Sequence, residues 1–219
     1  MPSEQTMPEI AVRVTVPGAA EWLALSDDLL SGLVHALNNR VTALSVCAEL
    51  AGLGDQRLLG EGVLLGEVLR LQHATALVGL LPARGHTEPL DIGPVLDDAI
   101  EMHAHHPRMR TVECAVERVG AVQPVRVPRW ALLRLLLLLV DAAKESALEG
   151  RYGTVTLNLS SDDDWVRVRA PARAGEGHYA AEMATRCGGV LARDGEDLVL
   201  TLPSLLALRR HERTARPPA

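Results

Sequence analysis

Three side chains that can do chemistry, His35, Asn39 and Thr42, are spaced by four and then three residues within one apolar stretch. If this stretch is a helix, the imidazole, the amide and the hydroxyl lie on one face. A neutral imidazole is nucleophilic, so an exposed histidine on a rigid helix can accept a phosphoryl group. From spacing alone, a solvent-facing histidine without a role is the favoured interpretation.

The helix that carries these residues is predicted from an apolar seam with alternating steps of four and three residues. The seam consists of Leu30, Val34, Leu37, Val41, Leu44, Ala48 and Ala51. This is the spacing of a coiled coil, and it leaves His35 outside the seam. Glycines 52 and 54 end the helix, and a second helix runs from a cap at Asp55 to about Leu81.

The second helix has more apolar surface than one partner helix can cover. One stripe consists of Leu64, Val68, Leu71 and Val78, and further leucines around it are Leu58, Leu65, Leu69, Leu77 and Leu81. Two antiparallel helices with such a wide apolar face bury it best by pairing with a second copy of the hairpin. The sequence therefore predicts a homodimer whose two hairpins, residues 21–84, form a four-helix bundle.

After the hairpin the pattern changes to short strands and separate helices. Helices are predicted over residues 92–104, 128–148 and 179–187, and strands over residues 154–159, 165–169, 190–193 and 198–202. This order favours helices layered on one face of a sheet, so the expected fold class is α+β, with an α/β sandwich domain at residues 85–204. Residues 1–20 form an N-terminal segment, and the basic tail at residues 205–219 is predicted to be disordered.

Composition and charge argue against several classes of function. The formal net charge of −6 gives no general attraction for a nucleic-acid backbone. The three cysteines are far apart and lack ligand-like spacing, which argues against a disulfide framework.

The longest apolar run, around residues 135–140, is too short to span a bilayer, and no signal sequence is recognised. We expect a cytoplasmic protein that binds neither nucleic acid nor membrane.

A cluster of histidines, His103, His105 and His106, follows Glu101. Their spacing fits no closed zinc motif, so a solvated helix end is favoured over a metal site.

The stretch from Leu33 to Leu44, Leu-Val-His-Ala-Leu-Asn-Asn-Arg-Val-Thr-Ala-Leu, resembles the phosphoacceptor box of sensor histidine kinases, whose usual form is His-Glu-Leu-Asn-Asn-Pro-Leu. The helical hairpin and the later order of elements resemble that family from about Trp22 to Pro203. The resemblance implies that His35 is the phosphoacceptor. It also implies that Asn39 occupies the position that orients water for dephosphorylating a partner.

The same resemblance implies a partner and a docking surface. The partner is the receiver domain of a response regulator, which would dock on the lower bundle around His35. The docking residues carried over from the resemblance are Leu33, Asn38, Val41 and Thr42.

Two departures from the phosphoacceptor box concern catalysis. Ala36 replaces the acidic residue that serves as base in autophosphorylation, and Arg40 replaces the helix-kinking proline. General-base catalysis typically raises a reaction rate by about 10²- to 10⁴-fold. The loss of the acidic residue therefore weakens the case for kinase chemistry.

Residues 132–144 are similar to the asparagine box of the kinase ATP-binding domain. Asp141 stands at the position of the magnesium-binding asparagine and Leu137 at that of an upstream asparagine. Asp141 is interpreted either as a metal ligand or as a polar turn on a buried helix, and the second is favoured. Residues 170–177 lack the adenine-binding aspartate and the glycine-rich lid, while similarity resumes at residues 186–190 and 198–203. We therefore expect a degenerate kinase-like domain without a cofactor or metal of its own.

This combination resembles bacterial histidine phosphotransferases of phosphorelays. It implies that His35 accepts a phosphoryl group from the aspartyl-phosphate of a response-regulator receiver domain, which supplies Mg²⁺, and passes the group on. Two alternatives stay open: a non-catalytic dimeric pseudokinase adaptor that docks response regulators, and a receiver phosphatase that uses Asn39. An autokinase with an unusual nucleotide pocket is the weakest candidate.

Overall fold

Two long helices open the described part of the chain, which comprises residues 19–52, 61–82, 85–173 and 178–214 of the computed structural model. Helix α1 is Ala19–Gly52 and helix α2 is Glu61–Leu80. They pack against each other as the predicted hairpin. The predicted cap at Asp55 lies outside the described residues.

Helix α1 has two apolar stripes with different environments. The inner stripe consists of Trp22, Leu25, Leu29 and Leu33, which are buried in the same core cluster as the α/β domain. The other is the predicted seam, in which Leu30, Val34 and Val41 are 38%, 50% and 51% exposed. A helix that is apolar on two sides needs two partners. Within the single chain, α2 and the α/β domain bury the inner stripe, and of the seam Leu37 and Leu44 are half-buried.

The remaining elements form the α/β domain. Its helices are α3 (Ile92–His103), α4 (Arg129–Glu149), α5 (His178–Arg186) and α6 (Leu205–Thr214). Its strands are β1 (Thr87–Leu90), β2 (Glu113–Val119), β3 (Val125–Pro128), β4 (Thr154–Ser161), β5 (Trp165–Pro171), β6 (Val190–Asp194) and β7 (Asp197–Pro203).

Five of these strands form one mixed sheet in the order β2-β4-β5-β7-β6. Strand β2 runs parallel to β4, and the other neighbours are antiparallel. Strands β1 and β3 form a separate antiparallel pair. Alternate residues of β4, namely Val155, Leu157 and Leu159, are buried in the core cluster that also contains the leucines of α4. The expected α+β fold class is confirmed.

Two carboxylates fix local turns in this domain. Asp91 begins α3, because its side chain accepts a hydrogen bond from the N–H of Gly93 at 3.0 Å. Asp162 shapes the β4–β5 hairpin, since its Oδ1 accepts from the N–H groups of Asp164 and Trp165 at 2.9 and 2.8 Å.

Residues 205–219 were predicted to be a disordered tail. Helix α6, Leu205–Thr214, occupies most of this segment, so the prediction is wrong for the residues of the helix. The Ser204 hydroxyl accepts from the N–H of Ala207 at 3.0 Å, as a helix N-cap does. Arg210 pairs with Asp164 of the β4–β5 turn at 3.3 Å. The arginines that suggested a solvated tail therefore belong to a docked helix, and the residues beyond α6 lie outside the described part.

One described helix is long and apolar enough to cross a membrane, judged by length and composition only. The stretch is Val63–Leu80 of α2, with a mean hydropathy of 1.3, and 17% of it is buried in the chain. A single such helix is a weak indication, because core helices of soluble proteins pass the same test.

Candidate functional site

His35 lies on the exposed face of α1, one helical turn before Asn39. The Asn39 amide nitrogen is 3.2 Å from Nε2 of His35. An amide NH₂ group can only donate, so Nε2 accepts, and the ring proton of the neutral imidazole lies on Nδ1. The pair therefore fixes the ring of His35 so that the single lone pair of Nε2 faces the Asn39 amide.

The predicted docking residues divide into two groups. Asn38, Val41 and Thr42 are exposed next to His35, and the Thr42 hydroxyl donates to the carbonyl of Asn38 at 2.9 Å. Leu33 is fully buried, and its assignment to a docking surface is wrong. Residues two apart on a helix point about 200° away from each other, so Leu33 faces the core when His35 faces solvent.

A charged cluster joins α1 to α2 close to the site. Glu67 of α2 is buried at 8% exposure and accepts from Arg40 at 3.1 Å and from Arg70. Burial opposes ionisation of Glu67, but the two arginine hydrogen bonds lower the pKa of its carboxyl below the ordinary value. Arg40, at the position of the family's helix-kinking proline, thus keeps α1 continuous and tied to its neighbour.

The α/β domain contacts α1 one turn before His35. A Cβ atom built on Gly32 would lie 1.8 Å from the carbonyl oxygen of His105, so only glycine permits this approach. One turn earlier, Asp28 Oδ2 lies 3.3 Å from Nε2 of His106. From α2, His73 pairs with Glu101 of α3 at 2.6 Å. The hairpin and the domain therefore meet along a surface rich in histidine.

The prediction of a solvated histidine cluster is wrong for two of its members. His103 is fully buried and His106 is 3% exposed, and their rings stack with centroids 5.1 Å apart. His103 Nε2 lies 2.9 Å from Oδ1 of Asp141 in α4. The cluster is buried because α1 and α4 close over the end of α3, a long-range contact that local sequence does not indicate.

Asp141 is therefore engaged by a side chain of its own domain. This fits its interpretation as a polar group on a buried helix, and Leu137, one turn earlier, is fully buried. Across residues 19–52, 61–82, 85–173 and 178–214, no group of three or more His, Cys, Asp or Glu side chains is placed to hold a metal ion.

The end of β5, where the adenine-binding aspartate is missing, is closed by hydrogen bonds. The N–H of Ala172 donates to the carbonyl of Glu196 at 2.8 Å, and Arg193 donates to the carbonyl of Ala172 at 2.6 Å. The N–H of Arg173 donates to the Ser146 hydroxyl at 2.6 Å. A half-open cavity of about 380 Å³ lies beside these residues, and Glu196 and Asp197 are among the residues that line it.

A second contact between hairpin and domain centres on Arg134 of α4. Its guanidinium lies 4.6 Å from the ring centroid of Trp22 and 5.4 Å from that of Trp130. It also donates to the hydroxyl of Tyr179 at 3.0 Å and to the carbonyl of Leu81 at 3.3 Å. Sequence reasoning did not find this cluster; the only signal was the position of tryptophans at the starts of elements.

No protein-family model and no curated protein matches this chain. Among solved structures, it is similar to a histidine kinase from Burkholderia phymatum STM815, with 21% identity and a TM-score of 0.42 over 87% of this chain and 96% of that one. It is also similar to a bacterial phosphotransferase, with 17% identity and a TM-score of 0.40 over 82% and 95% of the two chains. The mycobacterial sensor histidine kinase MprB shares 18% identity and a TM-score of 0.42 over 54% of this chain and 98% of its own. Two of these structures are histidine kinases and the third is a bacterial phosphotransferase.

Proposed function

We propose that this chain is a histidine phosphotransferase of two-component signalling, which accepts a phosphoryl group on His35 from a response-regulator receiver domain and passes it on without binding ATP. The observation that carries the proposal is the His35–Asn39 pair, an exposed imidazole whose Nε2 is oriented by an amide on the same helix face.

This geometry suits transfer from an aspartyl-phosphate. The hydrogen bond from Asn39 opens first, because Nε2 has a single lone pair; that lone pair then attacks phosphorus, the bond from phosphorus to the aspartyl oxygen breaks, and its electron pair stays on the departing carboxylate. No proton has to leave Nε2, because the ring proton is on Nδ1. The phosphorylated ring then loses its Nδ1 proton to solvent, so the step needs no base beside His35 and is compatible with Ala36. The receiver would supply the Mg²⁺ that neutralises charge on the phosphoryl group.

Independence from ATP is supported by the α/β domain. Asp141 is bonded to His103, Leu137 is buried in the core, and the end of β5 is tied down by backbone hydrogen bonds. None of these groups is free to hold a nucleotide in the way that the family's motif residues would.

Removing the imidazole should abolish labelling. The purified protein is incubated either with labelled ATP and Mg²⁺ or with labelled, phosphorylated receiver domains from the same organism. We expect label on the wild type from receivers only, and none on His35→Ala. His86→Ala is the matched control, because His86 is an exposed histidine away from α1, and it should be labelled like the wild type.

Other outcomes would favour the alternatives. Labelling from ATP would contradict the proposal and revive the autokinase. If no donor labels the wild type but receiver phosphate decays faster in its presence, and Asn39→Ala removes that effect, the protein is a receiver phosphatase. Binding of receivers without labelling or accelerated decay would indicate an adaptor.

We also propose that the chain is a homodimer, because its hairpin leaves a large apolar surface exposed. The exposed residues include Leu30, Val34 and Val41, which share one face of α1, and Leu65 and Leu69, which share one face of α2. A monomer rarely exposes so many large apolar side chains in one region. Pairing of two hairpins as a four-helix bundle would bury them.

Charges placed on this surface should produce monomers. We expect Leu65→Glu combined with Leu69→Glu to halve the mass measured by light scattering at micromolar concentration, because burying a carboxylate between helices is costly. Val190→Glu, an exposed site on the edge strand β6, is the control and should stay dimeric. A wild type of monomeric mass would contradict the proposal.

The same surface bears on localisation, which we propose to be soluble and cytoplasmic. Glu67 and Arg70 lie within the stretch Val63–Leu80, and charged residues at the centre of a bilayer are costly. The pair of Glu67 with Arg40 also ties this stretch to α1. Burial in a bundle suits these charges better than a membrane does.

A further inference from the structure

Four histidines lie where the hairpin meets the α/β domain. His73 is on α2, His103 ends α3, and His105 and His106 follow in the next turn. Each lies against another element: His73 against Glu101, His103 against Asp141, His105 against Gly32 and His106 against Asp28. Histidine is the side chain whose charge can change near neutral pH, so a junction that contains histidines is a candidate for pH dependence.

His106 is bonded in a way that only its neutral form permits. The backbone N–H of Arg108 donates to Nδ1 of His106 at 3.2 Å, so Nδ1 must carry a lone pair. Nε2 then carries the proton and faces Oδ2 of Asp28 at 3.3 Å. A second proton on Nδ1 would point at the N–H of Arg108, and it would place a positive charge in face-to-face contact with the ring of His103.

We propose that this histidine junction is a pH-dependent latch, in which neutral His106 holds the α/β domain against α1 and protonated His106 releases it. The latch does not rest on phosphotransfer, because it concerns only the docking of the two parts of the chain. Its contact at Gly32 lies one turn before His35, so release would uncover the face of α1 next to the phosphoacceptor position.

The charges around the junction set the direction of the effect. The pKa of His106 is lowered, and burial is the largest cause. The nearby His103 and Arg108 lower it further, whereas Asp141 and Asp28 oppose the shift. Burial also lowers the pKa of His105, with Glu101 opposing and His73 and Arg40 adding to the shift. The acids do not reverse these shifts, since Asp28 and Glu101 have side chains about half exposed and solvent screens their attraction.

A histidine with a lowered pKa in the docked state stabilises docking above its ordinary pKa of about 6.5. That stabilisation is lost as the pH falls through the lowered value, because the released state binds the proton more readily. Acid should therefore open the latch. Within this window, each such histidine changes the docking equilibrium by up to about tenfold per pH unit.

Hydrogen exchange of the full-length protein, followed by mass spectrometry, tests the latch. Protection is compared at about pH 7.5 and about pH 5.5 after correction for the intrinsic exchange rate. We expect peptides covering residues 26–34 and 104–112 to lose about tenfold or more of their protection at the lower pH, while peptides from β5 and β7 keep theirs. Equal loss in the sheet would mean general acid unfolding and would overturn the proposal.

Variants assign the effect to the junction. His106→Gln cannot take up a proton, so its protection should change less with pH than that of the wild type. Asp28→Asn removes from the docked state a group that favours protonation of His106, so the pKa of docked His106 falls further and release should begin at higher pH; this half-exposed site is the safeguard if His106→Gln fails to fold. His86→Gln is the matched control and should keep the wild-type profile. An unchanged profile in both junction variants, or an equal change in His86→Gln, would overturn the latch.

Discussion

A methyl group at position 32 should separate the helical hairpin from the α/β domain. In Gly32→Ala the new Cβ would lie 1.8 Å from the carbonyl oxygen and 2.7 Å from the carbonyl carbon of His105. Both are backbone atoms, so no side-chain rotation relieves the overlap. Because α1 is a continuous helix, the turn after α3 has to move away, and its contacts with Asp28 and Gly32 are lost together.

The sign of the stability change makes this prediction diagnostic. Alanine is normally favoured over glycine inside a helix by about 1 kcal/mol, so an unobstructed site would be stabilised. At Gly32 we expect a loss of about 1–3 kcal/mol instead, as is typical of overpacked sites. Gly79→Ala is the matched control in α2, where an added Cβ meets no atom within 4 Å.

Two measurements are made on each variant. Thermal unfolding gives its stability, and small-angle scattering reports whether the hairpin separates from the α/β domain. We expect Gly32→Ala to melt below the wild type and to show a larger radius of gyration. Gly79→Ala should match the wild type in size and melt no lower. Equal melting temperatures for Gly32→Ala and the wild type would mean that the close contact with His105 does not form.

Local periodicity predicted most of the fold. The steps of four residues along α1 placed His35 and Asn39 on one exposed face, and alternation predicted the paired strands β4 and β5. These features depend on residues close in sequence. The short pair of β1 with β3 was not predicted, because each strand is only four residues long and both α3 and β2 lie between them in the chain.

Long-range contacts were the part that sequence could not predict. Gly32 has the appearance of an ordinary helix glycine until the turn at His105 is placed against it. His103 and His106 are polar residues after a helix, a pattern typical of solvent, and they are buried only because α1 and α4 cover them. The proposed latch is therefore a property of the packed chain.

The two apolar stripes of α1 explain another difference between expectation and structure. The seam through Val34 and Val41 has the regular spacing of a coiled coil, so the sequence predicts helix packing along it. The inner stripe through Leu29 and Leu33 is the one buried within the chain. Each stripe needs its own partner: the inner one has α2 and the domain, and the outer one is left for a second copy.

Truncation of Leu33 should therefore destabilise the protein rather than weaken receiver docking. Leu33 is fully buried in the core shared by the hairpin and the domain. Replacing a buried leucine by alanine typically costs about 2–5 kcal/mol, through lost apolar burial and the cavity left behind. We expect the free energy of unfolding of Leu33→Ala to fall by an amount in this range, measured by denaturant unfolding at one fixed protein concentration.

The neighbouring residue supplies the control, because Val34 differs by one position and is half exposed. Val34→Ala should cost less in the unfolding of the chain and should act instead on the monomer–dimer equilibrium. Thr42→Ala, on the same exposed helix face as His35, is the variant expected to slow phosphoryl transfer from a receiver without lowering stability by as much as Leu33→Ala. If Leu33→Ala slowed transfer while leaving stability unchanged, Leu33 would have to reach the partner, and the burial of the inner stripe would be refuted.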